Sequence, residues 1–169
     1  MPNIIMCDPK GQQYYVSPET GCIYPKILEQ SVTILPRYFG GRRWTYCHEM
    51  VEATIRGLTN SSNLNSVILG NCEKLEKVCL PDLSGLNNSY MVTACTALKE
   101  LQIGSIGNAM TGMYNNALDG CTNNDLVVTI YVNASSLADV PTAITDNAPF
   151  GATNATIVYR SSVTGEVLT

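Results

Sequence analysis

Five cysteines recur at a nearly constant spacing, and no other feature of the chain restricts its possible folds as strongly. The intervals are 25, 25, 23 and 26 residues, between Cys22, Cys47, Cys72, Cys95 and Cys121. Such a period is typical of stacked-repeat proteins, in which one unit cannot bury its apolar face alone and successive units share a continuous core. The spacing therefore predicts a solenoid of about four to five repeats.

The residues after the cysteines support this period. Three units fit the pattern Cys-x-x-Φ-x-x-Φ-x-Φ, where Φ is apolar: Met50, Ala53 and Ile55 follow Cys47; Leu75, Val78 and Leu80 follow Cys72; Leu98, Leu101 and Ile103 follow Cys95. The alternation Φ-x-Φ predicts a short strand with one buried face, after which a turn and a short arm return the chain to the next strand. A cysteine is a small, soft residue that suits a buried corner of such a stack, so we expect the repeat cysteines to be buried thiols.

The other units are less regular. After Cys121 a short insertion moves the predicted strand to 126–132, where Val128, Ile130 and Val132 alternate inward. The Cys22 unit is the weakest, because Pro25 stands where the first apolar residue belongs.

Upstream of the cysteines the match continues. An apolar residue stands three positions before the cysteine at Leu69, Val92 and Leu118, and we place 34–39 in the equivalent approach to Cys47. A competing match at Ser61, Leu64, Val67 and Leu69 begins only 11 residues before the Cys72 unit. Since a parallel crossover needs about a dozen residues or more, we assign 63–69 to the returning arm.

The two ends depart from the period, as the capping segments of a solenoid do. At the N-terminus, residues 4–7 and 12–16 predict a β-hairpin around a type I turn at 8–11. At the C-terminus we predict a helix at 137–145 after Ser135 and Ser136, a strand at 153–159, and a further turn with a strand at 163–167. The chain is thus predicted to be one α/β domain, 1–169, with a hairpin cap at 1–21, repeats at 22–132 and a helix/strand cap at 133–169.

The repeat resembles the BspA-like leucine-rich repeat, whose unit runs GC-x-x-L-x-x-[IV]-x-[IL]-P. The segments 71–81 and 95–104 carry that pattern, 106–121 resembles the second half of the family's unit, and the resemblance covers roughly residues 32–132. It implies a right-handed leucine-rich-repeat solenoid with a parallel sheet on one face. It also implies kinship with surface and adhesion proteins of gut and oral bacteria, of some protists and of gut-phage genomes.

Charge and motifs exclude several classes of function. The net charge of −4 and the pI near 4.9 argue against nucleic-acid binding and against an anionic membrane surface. No apolar run approaches the roughly 20 residues of a membrane span, so membrane insertion is not expected. The seven cysteines lack zinc or disulfide-scaffold spacing, the single histidine, His48, directly follows Cys47, and no phosphate loop is present. We therefore expect no enzyme activity, no catalytic residue, no cofactor and no metal site.

Two hypotheses from different classes remain open. In the first, the chain is a binding module whose sheet face and loops engage a protein, or else a glycan. In the second, it is a phage-encoded or cytoplasmic effector that inhibits a host protein by direct binding. The N-terminus shows neither a basic region nor a long apolar region of a signal peptide, which favours a cytoplasmic or virion-associated location over the cell surface.

Two regions are candidates for the binding site. The segment 37–46 combines arginines with aromatic residues, which are favoured at protein interfaces and could also stack on nucleic-acid bases, although those aromatics could simply cover the core. On the outer side of the sheet, alternation predicts two rows, Glu52, Lys77, Glu100, Thr129 and Thr54, Cys79, Gln102, Tyr131. These rows either keep like charges apart or form the partner site. The candidate binding residues are Arg37, Tyr38, Arg42, Arg43, Trp44, Tyr46, Glu52, Lys77, Glu100, Gln102 and Tyr131.

Overall fold

Twelve strands in three sheets make up most of the regular structure in the part of the chain that the structure describes. The computed structural model describes residues 50–54, 69–84 and 91–169, and the backbone of residue 55 and of the strands at 4–7, 13–16, 23–25, 31–34 and 44–45. In chain order the strands are β1 (Ile4–Cys7), β2 (Gln13–Val16), β3 (Ile23–Pro25), β4 (Ser31–Ile34), β5 (Trp44–Thr45), β6 (Glu52–Ile55), β7 (Leu69–Gly70), β8 (Lys77–Leu80), β9 (Val92–Thr93), β10 (Glu100–Ile103), β11 (Val127–Val132) and β12 (Thr156–Ser161).

The chain winds between two parallel sheets. The larger sheet has the order β12-β11-β10-β8-β6-β4, and a smaller sheet has the order β5-β7-β9. Successive strands from β5 to β10 belong alternately to the smaller and the larger sheet, so each coil contributes one strand to each side. The result is a parallel β-solenoid of about three turns with few helices. The predicted repeat solenoid is confirmed at this level.

The interior of the solenoid contains the apolar positions of the repeat. Every described Φ residue of the Cys47, Cys72 and Cys95 units is at most 2% exposed, as are Val128, Ile130 and Val132. Along β8 and β10 the outward residues between them are half-buried or exposed. The period of two therefore assigns the correct face of each strand to the core.

The cysteines occupy one buried corner of the stack. Cys72, Cys95 and Cys121 are buried thiols, and each Sγ lies 3.3–3.4 Å from a backbone carbonyl oxygen. The residue before each cysteine has left-handed backbone, with φ of 52° at Asn71, 50° at Ala94 and 75° at Gly120. A Cβ at Gly120 would lie 3.2 Å from the backbone of Ala94, so neighbouring coils are in close contact at this corner. Buried thiols were predicted, and these three confirm it.

The final strand continues the larger sheet, although we expected the C-terminal segments to leave the repeat. β12 pairs in parallel with β11, and Gly151 precedes the corner with φ of 89°. Ala152, which is fully buried, takes the corner place that cysteine has in the earlier coils. Alanine is small enough for that corner. Because the sequence has no cysteine there, the spacing of the cysteines did not predict this coil. Val167 then pairs antiparallel with Arg160 beside β12.

The predicted helix at 137–145 is interrupted. A 3-10 helix covers Leu137–Asp139 and a short helix, α1, covers Thr142–Thr145. Val140 between them is extended, with ψ of 131°, because the residue before a proline is disfavoured in the helical region and Pro141 follows.

Near the N-terminus two strands pair as a hairpin, and another segment differs from its prediction. β1 and β2 pair antiparallel with Ile4 opposite Val16, as the hairpin prediction requires, and β3 adds to β2. Ile34, which we placed in the approach to Cys47, instead ends β4 in the larger sheet, opposite Ile55. The 17 residues between the end of β4 and the start of β6 are enough for a parallel crossover, so this alternating segment forms a strand of its own. The turn at 8–11 and residues 61–68 of the competing match lie outside the described residues.

Candidate functional site

The outward residues of β6, β8, β10, β11 and β12 form a polar surface, here called the outer face. Its first row contains Glu52, Lys77 and Glu100 in register, as predicted. The prediction for β11 was wrong by two residues, because Val127 rather than Thr129 lies opposite Glu100. Since Leu101 pairs with Val128 in the interior, the residues preceding both must also lie opposite each other.

The second row shifts in the same way. Thr54, Cys79 and Gln102 are in register as predicted, but they are followed by Thr129 and not by Tyr131. Tyr131 lies one pleat further along, opposite Arg160 of β12.

Lys77 forms an ion pair between neighbouring strands of the outer face. Its Nζ lies 3.1 Å from Oε2 of Glu100. The hydrogen bond and the negative charge of Glu100 raise the pKa of Lys77, and the charge of Glu52 raises it further. Both partners are about half exposed or more, so the pair adds little to stability and serves mainly to fix the position of these charges.

A shallow depression lies in the middle of the outer face. Its volume is about 370 Å³, and its rim is charged at Lys77 and Glu100 and uncharged at Gln102, Val127 and Thr129. Val127 is 39% exposed, which is unusual for valine in a central strand. The face therefore combines a charged side with an apolar and hydroxyl-bearing side.

Arg160 is a candidate residue that the sequence analysis missed. It lies opposite Tyr131, and its Nη1 donates a hydrogen bond of 2.8 Å to the carbonyl oxygen of Gly165. This bond holds the guanidinium at the edge of the outer face. The residue could have been found only by recognising β12 as a strand of the same sheet.

The segment 37–46 is described only at β5. Arg37, Tyr38, Arg42, Arg43 and Tyr46 lie outside the described residues. The backbone of Trp44 is in register with Leu69, and Leu69 is in register with Val92. The structure thus brings Glu52, Lys77, Glu100 and Gln102 together on one face, places Tyr131 further along that face, and places Trp44 in the other parallel sheet.

Two further properties of the described residues bear on metal binding and on membrane insertion. No group of three or more His, Cys, Asp or Glu side chains within them is arranged to hold a metal ion. No helix within the same residues has the length and apolar character of a membrane span.

Comparisons with known proteins give no assignment. No family model matches the chain, and no curated protein or solved structure is significantly similar to it.

Proposed function

We propose that this chain is a non-enzymatic binding module that engages a protein partner through its outer face. The supporting observation is the composition of the depression and its surroundings. Protein interfaces combine an apolar or aromatic centre with a polar rim, and tyrosine and arginine are enriched among the residues that dominate binding. Val127 and Tyr131 supply the apolar and aromatic part, and Arg160 adds an arginine at its edge. The row Glu52, Lys77 and Glu100 supplies the polar rim.

Rigidity adds to the argument. The outer face belongs to a sheet whose described inward residues on β6, β8, β10 and β11 are buried, so its side chains project from a fixed backbone. A partner that binds there loses little free energy to ordering of the surface, because preorganised sites avoid that cost.

We further propose that the coils are right-handed leucine-rich repeats of the BspA-like type. The support is the Cys-x-x-Φ-x-x-Φ-x-Φ unit, which occurs in coils that stack in register from β6 to β10.

The proposed site can be tested without a known partner. A random peptide library displayed on phage is selected against the wild-type chain, and binders are then measured against Thr129→Arg and Thr96→Arg. Thr129 lies in the depression, whereas Thr96 is exposed in the loop after Cys95. Because selected peptides concentrate at preorganised surfaces, we expect Thr129→Arg to weaken most binders at least about tenfold, or about 1.4 kcal/mol.

Thr96→Arg is the matched control, since it adds the same bulk and charge elsewhere. Binders that tolerate both substitutions, or that are lost with Thr96→Arg alone, would contradict the outer face as the binding site.

A further inference from the structure

A second cavity among the described residues lies away from the outer face, at the C-terminal end of the solenoid. It is an open cleft of about 770 Å³ between the segment that follows β11 and the hairpin that follows β12. Its lining includes Asn133, Asp139, Ser161, Val163, Glu166 and Val167. Small-molecule sites commonly have volumes of about 300–1,000 Å³.

One wall of the cleft carries a carboxylate in a fixed position. The hydroxyl groups of Ser135 and Ser136 both donate to Oδ2 of Asp139, at 3.0 and 2.8 Å. The hydrogen bond from Ser136, followed by that from Ser135, lowers the pKa of Asp139 below its ordinary value, so the carboxyl group is ionised at neutral pH. The backbone N–H groups of Ser136 and Ser135 also interact with this carboxylate and lower its pKa further. Because Asp139 is exposed and lines the cleft, a ligand there can still donate a hydrogen bond to the carboxylate.

The opposite wall supplies a second carboxylate. Thr164 Oγ1 lies 3.4 Å from Oε2 of Glu166, and the N–H of Glu166 donates back to that hydroxyl at 3.2 Å. No lysine or arginine lines the cleft. The two carboxylates therefore favour a ligand that donates hydrogen bonds.

Ser161, in contrast, requires a ligand atom that accepts a hydrogen bond. It lines the cleft, is only 5% exposed, and its Oγ accepts the N–H groups of Val163 and Thr164 at 3.3 and 3.5 Å. Its own O–H has no acceptor among the residues that the structure describes. A buried hydroxyl normally donates as well as accepts, so a ligand atom that accepts a hydrogen bond would satisfy it.

Together these groups distinguish between ligand classes. An ammonium group could satisfy Asp139 and Glu166, but it cannot accept the proton of Ser161. Hydroxyl groups can donate hydrogen bonds to the two carboxylates and also accept the one from Ser161. Val163 and Val167, which are 70% and 48% exposed, offer an apolar wall for the C–H face of a sugar ring.

From this geometry we propose that the C-terminal cleft binds a polyhydroxyl ligand of the saccharide class. The site is separate from the outer face and does not depend on the function proposed for it. The same chemistry is present in a free sugar and in the end of a glycan chain, so the experiment uses both.

The test is saturation-transfer NMR on the full chain, with the methyl glycosides of glucose, galactose, mannose and N-acetylglucosamine, and with putrescine as a cationic comparison. An immobilised glycan array supplies the chain-end arm. We expect at least one saccharide to bind, and Asp139→Asn or Ser161→Ala to weaken that binding at least about tenfold. Val163→Asp, at an exposed position, should do the same even if Ser161→Ala unfolds the chain.

Asp125→Asn is the control, because Asp125 is an exposed carboxylate outside the cleft. Binding of methyl glycosides with the expected losses identifies a free-sugar site, and binding on the array alone with the same losses identifies a chain-end site. The proposal is overturned if no saccharide binds in either arm, if putrescine alone binds, or if binding is insensitive to Asp139→Asn and Val163→Asp.

Discussion

Leu101→Asn is expected to remove most of the stability of the chain, whereas Gln102→Asn, one residue along, is expected to have a small effect. Leu101 is 1% exposed in the central strand β10, and Gln102 lies on the outer face. Truncating a buried leucine costs about 2–5 kcal/mol, and burying an amide without a partner adds about 1–3 kcal/mol. A small domain has only about 5–15 kcal/mol in total.

At position 102 the introduced asparagine lies on the solvent-facing side of the strand. The substitution loses the hydrogen bond of 3.1 Å from Gln102 Nε2 to the carbonyl oxygen of Gly104, which is worth about 1 kcal/mol or less. Urea unfolding, followed by circular dichroism, compares the two variants with the parent chain. Similar losses at both positions would mean that the strand does not alternate between core and solvent, and the stacking of the coils would then be wrong as well.

The period of the sequence predicts the core but not the coil that lacks a cysteine. Val78, Leu101 and Val128 were assigned inward because Φ-x-Φ alternation is a local property, and each is buried in the structure. Ala152 and Ile157 belong to a further coil, but alanine at the corner carries no recognisable signal. The sequence therefore predicts which residues face inward more reliably than it predicts how many coils there are.

The register of the outer face was predicted correctly only for the units that are aligned by their cysteines. Lys77 lies between Glu52 and Glu100 because those three units have identical spacing after the cysteine. The insertion after Cys121 removed that reference, and Thr129 was consequently placed opposite the wrong residue. A register error of two residues preserves the face but changes the neighbour.

The C-terminal cleft could not have been predicted from the sequence. Asp139 and Ser161 lie in separate segments, after β11 and at the end of β12, where the sequence carries no cysteine repeat. Only the stacking of β12 on β11 brings the segment after each strand to the same end of the sheet. Sites of this kind depend on the three-dimensional arrangement and leave no motif.

The cysteine corner should make the chain sensitive to alkaline pH. Burial raises the pKa of the Cys121 thiol to about 11, from an ordinary value near 9.0. The hydrogen bond with Cys72, followed by burial, raises the pKa of Cys95 as well. An acid whose pKa is raised in the folded state stabilises that state fully below its unfolded pKa, and this stability is lost as the pH rises through the folded pKa.

The loss should therefore occur between pH 9 and pH 11. For Cys121 alone a shift of this size corresponds to roughly 2–3 kcal/mol, and Cys95 adds to it. We expect the free energy of unfolding, measured by urea titration at a series of pH values, to be level from pH 7 to about pH 9 and to fall steeply above it.

Cys95→Ala with Cys121→Ala is the matched variant, because Ala152 already occupies the equivalent corner in the last coil. Removing the two thiols should cost some stability at pH 7 but should flatten the decline between pH 9 and pH 11. Some slope will remain, since burial also raises the pKa of Tyr159. If the double variant declines as steeply as the parent chain, thiol ionisation is not the cause, and the cysteines do not form the buried column on which the coils stack.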